Sequence, residues 1–534
     1  MTDVLDLTAD VLIIGGGPAG TWAALRAAQH GADVLLVDKG YCGTSGATAP
    51  SGTGVWYVDP SRAEREKAKA SRESLGGHLA DHRWMDRVLD QTYENMDLLA
   101  TEGRYPFPVD SGTGRQIRTG LQGPEYMRRM RAWIRRRGVR ILDHSPALEL
   151  LVDTDGQVRG AAGFQRQESR DYRVSAGAVV IASGGCAFLS KALGTNVDTG
   201  DGALMAAEAG AEFSGMEFSN AYAIVPENST VTKTAYYGYA TFFRGDGTVI
   251  EGAGSTKGRS VIAETLVNER VFAQLDRADE KVQRQMRLGQ PNFFLQFDRR
   301  GIDPFTDRFP ITLLAEGTVR GTGGIEVVDD TCATTVPGLF AAGDAATRER
   351  ICGGFTGGGS HNSAWAMSSG SWSGAAAARF ARAESIAPLA DLRAIGDAGL
   401  RPSRPAAMDH TEVLAAAQAE LVPYEKNFLR DGERVRDALG ALETLWYDNV
   451  SGLRGDDGET RLRSRQAAAI TAVGRWMYHS TLARTESRGM SKRADFPDLD
   501  EAQRHHILTG GVDRIWTGIG PLKSTVRDGV RAAS

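Results

Sequence analysis

The sequence predicts an α/β protein, with a parallel sheet flanked by helices, an inserted α+β domain and a C-terminal helical domain. Three observations predict this fold class. Near the start, a strand is followed by a glycine loop, a helix and a second strand. Two later apolar runs also end in small residues. A long segment of different composition lies between those two runs. At 534 residues the chain exceeds what one hydrophobic core normally supports, so two or three domains are expected.

The first unit has the order of elements that binds a dinucleotide. The apolar run 11–14 predicts a buried parallel strand, and the pattern G-x-G-x-x-G follows it at Gly15, Gly17 and Gly20. These glycines allow a tight turn, close approach of a pyrophosphate and close packing of the next helix. A second apolar run ends in Asp38, 18 positions beyond Gly20, where a carboxylate suits ribose hydroxyls. The order predicts a Rossmann-like domain.

Later segments supply the remaining strands of this domain, and one inserted domain separates its two parts. Residues 147–164 predict a hairpin with Asp155 and Gly156 at its turn, and 178–185 predict another buried strand. Residues 336–344 predict a short strand that ends in an acid, before a glycine loop and a helix of small residues. The predicted division is a nucleotide-binding domain in two segments, 1–211 and 327–384, an inserted capping domain 212–326 between them, a linker 385–410 and a helical domain 411–534.

Three other segments have a distinctive composition. The small side chains of residues 40–54 would let the backbone approach a flat ring or a phosphate. Residues 61–101 are charged and predict helix. Seven arginines fall within 128–140, which predicts a solvated helix face leading into a strand, with an anion-binding patch as the alternative.

Composition and charge exclude several classes of protein. Apolar content is 41%, charged content is 24%, and the net charge is −5, which argues against a nucleic-acid-binding or membrane-surface protein. No apolar run reaches membrane-spanning length, and no signal-peptide pattern opens the chain, so we expect a cytoplasmic location.

The cysteines do not indicate a metal centre. Cys42, Cys186, Cys332 and Cys352 are scattered, and none belongs to a C-x-x-C pair. We therefore predict small buried residues, with neither a zinc site nor an iron–sulfur cluster carried on this chain.

Several motifs together resemble one family, the flavoprotein subunits of succinate dehydrogenase and fumarate reductase, with L-aspartate oxidase and adenylylsulfate reductase. The resemblance covers nearly the whole chain, in order. It rests on GGGPAG at 15–20, SGATAPSG at 45–52, VVIASGG at 179–185, TGDG at 199–202, MEF at 216–218, TGGIEVVDDTCATTVPGLFAAGD at 322–344 and RTESRGMSKRADFP at 484–497.

The resemblance implies FAD as the cofactor, held by a glutathione-reductase-type domain. Asp38 would hold the adenosine ribose, the 45–52 loop would lie along the flavin, Asp201 would support the cofactor and Asp344 would bind the ribityl chain. A helix starting near His361 would stabilise negative charge on a reduced flavin. The implied FAD-binding residues are Gly15, Gly17, Pro18, Ala19, Gly20, Asp38, Lys39, Thr44, Ser45, Gly46, Ala47, Gly52, Ala182, Gly184, Asp201, Gly343, Asp344, Asn362, Ser363 and Ala364.

The sequence departs from the family where the substrate is recognised. Succinate dehydrogenases bond FAD covalently to a histidine that aligns with Gly46, so we expect non-covalent FAD. The segment 317–322 lacks the histidine that dicarboxylate enzymes place before the paired glycines, and 357–360 lacks their substrate-clamping arginine. The later helix is closer to the adenylylsulfate reductase version, although the histidine of that version aligns with Trp365. Succinate and fumarate are therefore disfavoured as substrates.

The candidate catalytic residues are His361, Arg320, Arg259 and Tyr237. His361 stands where the glycine loop enters a helix, as a donor to a substrate carboxylate or a proton carrier, or else as a helix-start residue that bonds backbone. Arg320 precedes the paired glycines, and Arg259 and Tyr237 are polar groups of the inserted domain. No metal-binding residues are predicted.

Three hypotheses about function remain open. The first is an FAD-dependent dehydrogenase or oxidase that acts on a small anionic substrate by hydride transfer to flavin N5. The second is the flavoprotein subunit of a larger reductase resembling adenylylsulfate reductase, whose partner would carry iron–sulfur clusters. The third is a flavin-binding assembly protein without catalysis. No second G-x-G-x-x-G follows a strand, so electrons would pass to oxygen or to a separate redox protein. Homo-oligomerisation is left open.

Overall fold

The computed structural model describes residues 4–355 and 359–520. Its strands are β1 (Leu5–Ile14), β2 (Val34–Val37), β3 (Gly52–Gly54), β4 (Gly120–Gln122), β5 (Arg140–Leu142), β6 (Ala147–Val152), β7 (Val158–Gln165), β8 (Arg170–Ile181), β9 (Phe213–Ser214), β10 (Ala221–Pro226), β11 (Thr241–Phe243), β12 (Val271–Gln274), β13 (Phe309–Gly317), β14 (Gly324–Ile325), β15 (Leu339–Ala341), β16 (Arg393–Ala394), β17 (His506–Gly510) and β18 (Trp516–Gly520).

Helices cover the sheets and form most of the C-terminal region. They are α1 (Pro18–Gln29), α2 (Arg62–Leu75), α3 (His82–Thr101), α4 (Gly123–Arg136), α5 (Asp201–Glu208), α6 (Arg259–Asn268), α7 (Glu280–Gly289), α8 (Pro291–Asp298), α9 (Glu349–Cys352), α10 (Ser360–Ala383), α11 (His410–Leu421), α12 (Tyr424–Asn427), α13 (Gly432–Asp448) and α14 (Gly458–Ala483). Gly357 and Gly358, in the loop where the clamping arginine was expected, lie outside the described residues, as do residues 521–534 of the predicted helical domain.

The largest sheet has a parallel centre, as the sequence predicts. The strands β5, β2, β1 and β8 lie side by side in that order, and β15 pairs in parallel with the end of β8. The hairpin β6–β7 extends the sheet on the other side of β8. Because β1, β2, β8 and β15 run in the same direction, their carboxyl ends meet at one edge.

The first β–α–β unit forms as the glycine pattern predicts. Four consecutive apolar residues make β2, and Pro18 opens α1, where its missing N–H costs nothing. Gly20 allows α1 to approach the loop before it, since a Cβ at Gly20 would lie 1.8 Å from the carbonyl oxygen of Gly15. The strand β1 is longer than the sequence indicated, since its first half pairs with β8 from Leu5 onward.

The inserted segment, residues 212–326, is here called the cap. Its main sheet has the order β10-β13-β12-β11 and is antiparallel throughout. Phenylalanines of α8 and β13 pack beneath it, with Phe297 and Phe309 having ring centroids 4.7 Å apart. The cap begins and ends at the short strands β9 and β14, which pair with each other.

Three segments contain structure that the sequence did not specify. Residues 61–101 are helical, as predicted, and form two helices, because α2 ends at Gly76 and the chain turns before Asp81 caps α3. The linker 385–410 contributes β16 to the edge of the large sheet by pairing with β6. The helical domain also contains a hairpin, β17–β18, which pairs with β9 of the cap. A two-residue partner strand and a short hairpin have no local signal strong enough to predict this pairing.

The arginines within 128–140 lie mostly on α4, as the prediction of a solvated helix face requires. Arg128 and Arg129 both bond to Glu125 within the helix. Arg131 holds Asp143 at 2.6 Å and packs over the ring of Tyr41. None of the helices in the described chain has both the length and the apolar character needed to cross a membrane.

Candidate functional site

A cavity of about 660 Å³ opens at the edge where the parallel strands end. Its floor is formed by the residues that follow β1, β2, β8 and β15, and its roof by the cap. The loop 45–54 and the first turn of α10 close it at one side. The sheet therefore brings together segments that are more than 300 residues apart in sequence.

The acid after β2 is tied to the glycine loop after β1. The carboxylate of Asp38 accepts hydrogen bonds from the backbone N–H groups of Gly16 at 2.6 Å and Gly40 at 2.7 Å. Burial raises the pKa of Asp38, although these two N–H groups favour its charged form. The carboxylate thus holds the loop in shape while it lines the cavity.

Two helices point their N-termini at the cavity. The helix α1 begins at Pro18 and α10 begins at Ser360, and neither has a side-chain cap on its first N–H groups. Ser360, Asn362 and Ser363 of α10 line the cavity. Unsatisfied N–H groups and the positive end of the helix dipole favour anionic or electron-rich groups at both positions.

Two further carboxylates that line the cavity are held by cations. Asp201, at the start of α5, forms a salt bridge with Lys39. Asp344, just after β15, forms one with Arg348, whose side chain is 1% exposed. Burial raises the pKa of Asp344, and the Arg348 charge opposes this effect.

The cavity contains polar atoms that need a further partner. Asp198 Oδ2 and Asn362 Oδ1 are buried and, among the described residues, have no hydrogen-bond partner. Burial and the neighbouring Asp344 carboxylate raise the pKa of Asp198 to about 8. Gly46 has a φ of +89°, and a Cβ placed there would meet no atom within 4 Å. Glycine loops, two helix starts, acids for hydroxyls and unpartnered polar atoms together fit a dinucleotide such as FAD.

Comparison with known proteins agrees with this geometry. The FAD binding domain family matches residues 10–231. L-aspartate oxidase of Streptomyces coelicolor is 26% identical, over 95% of this chain and 92% of its own length. A fumarate reductase (CoM/CoB) subunit of Methanothermobacter marburgensis is 24% identical, over 93% of this chain and 96% of its own. The chain is an FAD-dependent oxidoreductase related to these flavoproteins.

A solved structure shows the same fold. A quinol fumarate reductase chain from E. coli superposes with a TM-score of 0.82 at 21% identity, covering 98% of each chain. Adenylylsulfate reductase from Archaeoglobus fulgidus superposes with a TM-score of 0.75 at 18% identity, covering 97% of this chain and 96% of that one. The flavoprotein described here therefore has the fold of the family that its motifs resemble.

Most of the residues implied in FAD binding line the cavity of this flavoprotein. Those that line it are Gly15, Gly17, Pro18, Ala19, Asp38, Lys39, Ser45, Gly46, Ala47, Gly52, Ala182, Gly184, Asp201, Gly343, Asp344, Asn362 and Ser363. Gly20, Thr44 and Ala364 do not line it. Gly20 packs on the loop, Thr44 faces solvent in a turn, and Ala364 is buried on the core side of α10.

On the cap side, two cations share one buried carboxylate. Lys233 Nζ lies 3.1 Å from Glu316 Oε1, and Arg320 Nη1 donates to Glu316 Oε2 at 3.0 Å. Burial alone would raise the pKa of Glu316, but Lys233 and Arg320 lower it to about 2. Lys233 and Arg320 both line the cavity, and Glu316 stands behind them.

Arg259 and Tyr237 also reach the cavity from the cap. The Arg259 guanidinium donates to the carbonyl oxygens of Tyr222 at 2.7 Å and Ser255 at 2.6 Å. Burial and the nearby Arg320 charge lower the pKa of Arg259 to about 10, so it remains a cation at neutral pH. Tyr237 is 3% exposed. The structure thus brings three of the four predicted catalytic residues, Arg320, Arg259 and Tyr237, to one cavity.

The fourth predicted catalytic residue, His361, lies behind the cavity wall. Its ring is fully buried, 6.0 Å from that of Phe355, and is not among the described groups that line the cavity. Burial and the charges of Arg72, Arg348 and Arg320 lower its pKa well below the ordinary value, so the ring is neutral. Neither ring nitrogen has a hydrogen-bond partner among the described residues.

Sequence reasoning missed several groups at the site. Lys233 and Glu316 belong to no motif, and they meet only in the folded chain, where the neighbouring Thr232 hydroxyl also donates to Glu316 at 2.7 Å. Asp198 lies just before the TGDG motif, a position that could have drawn attention to it. The four cysteines are buried and free, as predicted, and burial raises the pKa of the Cys42 thiol to about 12.

Proposed function

We propose that this flavoprotein oxidises or reduces a small anionic substrate bound between the cap and non-covalent FAD, and that it is not a standard succinate or fumarate enzyme. The observation that carries the proposal is the set of three cations, Lys233, Arg259 and Arg320, on the cap side of the cavity whose other side fits FAD. When bound there, FAD supplies two-electron redox chemistry.

The side chains of the cap have roles that follow from their charge and burial. Arg320 is held by Glu316 and presents its guanidinium to the cavity, which favours an anion and fixes its position. Arg259 adds a second positive charge from the start of α6. The cap covers this space and keeps water from the bound anion, which strengthens the electrostatic attraction. His361 lies outside the described cavity lining, so we assign it no direct contact with the substrate.

One feature of the sequence favours non-covalent FAD, and another argues against dicarboxylate chemistry. Gly46 has no side chain that could bond to a flavin. The segment 317–322 has no histidine, and the chain supplies Arg320 there instead. A dicarboxylate needs donors at both ends in the transition state, and two groups expected for that purpose are absent from the sequence.

A second candidate is the flavoprotein subunit of a larger reductase with an iron–sulfur partner. The fold shared with adenylylsulfate reductase, at a TM-score of 0.75, is the observation that favours it. The first candidate predicts that the reduced flavin is reoxidised by air at a rate useful for turnover, or by a soluble carrier. The second predicts slow reoxidation by air and fast reoxidation only by a cluster-bearing protein.

The test is anaerobic reduction of the bound flavin. The holoprotein would be mixed with small carboxylates, among them L-aspartate and succinate, and with their neutral amides, while the flavin absorbance is followed. If the enzyme oxidises its substrate, we expect bleaching by at least one carboxylate and by none of the amides, with succinate slow. If it reduces its substrate, we expect chemically reduced flavin to be reoxidised by an unsaturated carboxylate under the same anaerobic conditions. A response to an amide alone, or to no carboxylate in either direction, would overturn the proposal. Timing the return of absorbance after admitting air then separates the two candidates.

A further inference from the structure

Among the described residues, four carboxyl groups line the cavity, and one of them differs from the others in its hydrogen bonding. The four belong to Asp38, Asp198, Asp201 and Asp344. Backbone N–H groups donate to Asp38, and Lys39 and Arg348 each form a salt bridge with one of the others. The exception is Asp198. Its Oδ2 has no hydrogen-bond partner in the described chain, and no described cation lies within salt-bridge distance of its carboxyl.

The Asp198 side chain is held next to the carboxyl end of β8. Its backbone N–H donates to the carbonyl oxygen of Thr195 at 3.0 Å, and its carbonyl oxygen accepts from the N–H of Ala187 at 2.9 Å. Gly184, just after β8, leaves room for the carboxyl, since a Cβ there would lie 2.5 Å from Asp198 Oδ1. The residue is 4% exposed and lines the cavity. The carboxyl therefore borders the cavity from a fixed position.

The charges around this carboxyl do not compensate for its burial. The groups that act on it from a distance are Asp344 after β15, Lys233 of the cap, and Lys39 and Asp38 after β2. Lys39 is paired with Asp201. Lys233 is paired with Glu316. Burial first, and the Asp344 carboxylate second, raise the pKa of Asp198 to about 8, so the carboxyl keeps its proton at neutral pH.

A protonated carboxyl differs from the other three acids in what it offers a ligand. An ionised carboxylate in this position would be buried without a donor or a counter-ion, which is costly. The protonated group is a hydrogen-bond donor, and a buried donor needs an acceptor. FAD has acceptor oxygens in its phosphates, its ribityl chain and its flavin carbonyls. Its phosphates are also anionic, so an ionised Asp198 would repel the cofactor and a protonated one would not.

We propose that Asp198 binds FAD as a protonated acid that donates a hydrogen bond to the cofactor, so that FAD is released more readily when this acid ionises. The affinity for FAD should be constant up to about pH 7 and should fall as the pH rises through about 8, where Asp198 loses its proton to solvent. The inference concerns the cofactor and is the same for any substrate.

The test measures FAD release from the holoprotein as a function of pH. Holoprotein would be diluted in steps between pH 6.5 and 9, and the fluorescence of released FAD would give the dissociation constant. The wild-type protein should bind FAD about tenfold more weakly at pH 9 than at pH 7, because only about a tenth of Asp198 is then protonated before FAD binds.

Two variants of Asp198 separate the donor from the charge. Asp198→Asn keeps a neutral donor that cannot ionise, so it should bind FAD as tightly at pH 9 as at pH 7. Asp198→Ala has no donor and should bind FAD about tenfold more weakly than wild type at pH 7, with little further change at pH 9. Asp155→Asn, in the exposed turn between β6 and β7, should keep the wild-type pH dependence.

The melting temperature separates an effect on FAD from an effect on folding. Asp198→Asn replaces a neutral acid by a neutral amide, so at pH 7 it should melt at or above the wild-type temperature. A lower melting temperature for Asp198→Asn, together with FAD affinity as weak as that of Asp198→Ala, would show that the ionised carboxylate is the required form and would overturn the inference.

Two other results would also overturn it. One is a wild-type dissociation constant that rises no more with pH than that of Asp198→Asn. The other is an Asp198→Ala variant that holds FAD as tightly as wild type at pH 7. Failure of the proposed function looks different, since it requires that no carboxylate reacts with the flavin and leaves the pH dependence of FAD release unchanged.

Discussion

The ammonium group of Lys233 lies 3.1 Å from the carboxylate of Glu316, which is 1% exposed. Arg320 bonds to the other oxygen of the same carboxylate. One buried acid therefore holds two cations at the cavity wall, and the position of both depends on it.

The first prediction concerns this acid. Glu316→Gln leaves Lys233 and Arg320 without their counter-charge and should lower the free energy of unfolding by about 1.5–3 kcal/mol at neutral pH. The folded-state pKa of about 2 lies below the ordinary 4.5, so the contribution is present above pH 4.5 and is lost as the pH falls toward about 2. Urea unfolding across this pH range should show wild type and variant converging in acid.

A surface pair serves as the control. Glu280 of α7 lies 3.5 Å from Arg284, and both side chains are exposed. Glu280→Gln should change stability by at most about 1 kcal/mol. A Glu316→Gln variant no less stable than Glu280→Gln would contradict the prediction.

The second prediction is that Asp38→Ala weakens FAD binding. The change removes an acid expected at the ribose and also releases the N–H groups of Gly16 and Gly40. A loss of about 1.5–3 kcal/mol in FAD affinity is expected. Titration of apoprotein with FAD measures it, with Asp155→Ala, in the exposed turn between β6 and β7, as control. Unchanged affinity in Asp38→Ala would show that FAD lies elsewhere.

The third prediction concerns the stability that Asp344 contributes through Arg348. Because Arg348 is 1% exposed, Asp344→Ala leaves a buried cation without its partner. Such a change typically costs about 3–5 kcal/mol of stability. Asp344→Asn keeps an acceptor for Arg348 and should be destabilised less. Thermal melting and flavin content would be measured for both; an alanine variant that melts like wild type refutes the argument.

The fourth prediction is that acid or heat releases FAD intact from the purified protein. Gly46 lines the cavity and offers no atom for a bond to the flavin. After precipitation, the yellow colour should remain in the supernatant and co-migrate with authentic FAD. Colour that stays with the washed pellet would mean that another side chain is bonded to the cofactor.

The fifth prediction compares Arg320 with His361. Arg320→Ala should slow substrate-driven flavin reduction about 30- to 1000-fold, since a charge-assisted contact to the anion is lost. His361→Ala should slow it about tenfold or less, because the ring lies outside the described cavity lining. Arg308→Ala, an exposed arginine of the cap that packs over Phe243, is the control. Equal losses at Arg320 and His361 would place the histidine in contact with the substrate.

The candidate site was predictable where it depends on local pattern. The glycine motif, the acid at Asp38 and the small-residue loops are each read from a few neighbouring residues, and most of the residues implied there do line the cavity. Lys233 and Glu316 could not be predicted in the same way. Their roles depend on contacts between distant segments, such as Lys233 with Glu316 across 83 positions.

The sequence by itself determined the parallel sheet, the order of its first strands and the glycine loop at their carboxyl ends, because apolar runs and glycine spacing act locally. Only the tertiary structure decided which charges meet in the cavity. Arg320 could have faced solvent, yet in the folded chain it pairs with Glu316, the same carboxylate that holds Lys233. Tertiary packing likewise placed His361 behind the wall and added β17–β18 to the base of the cap. Pairings of this kind are selected by burial and charge over the whole chain, and no short segment encodes them.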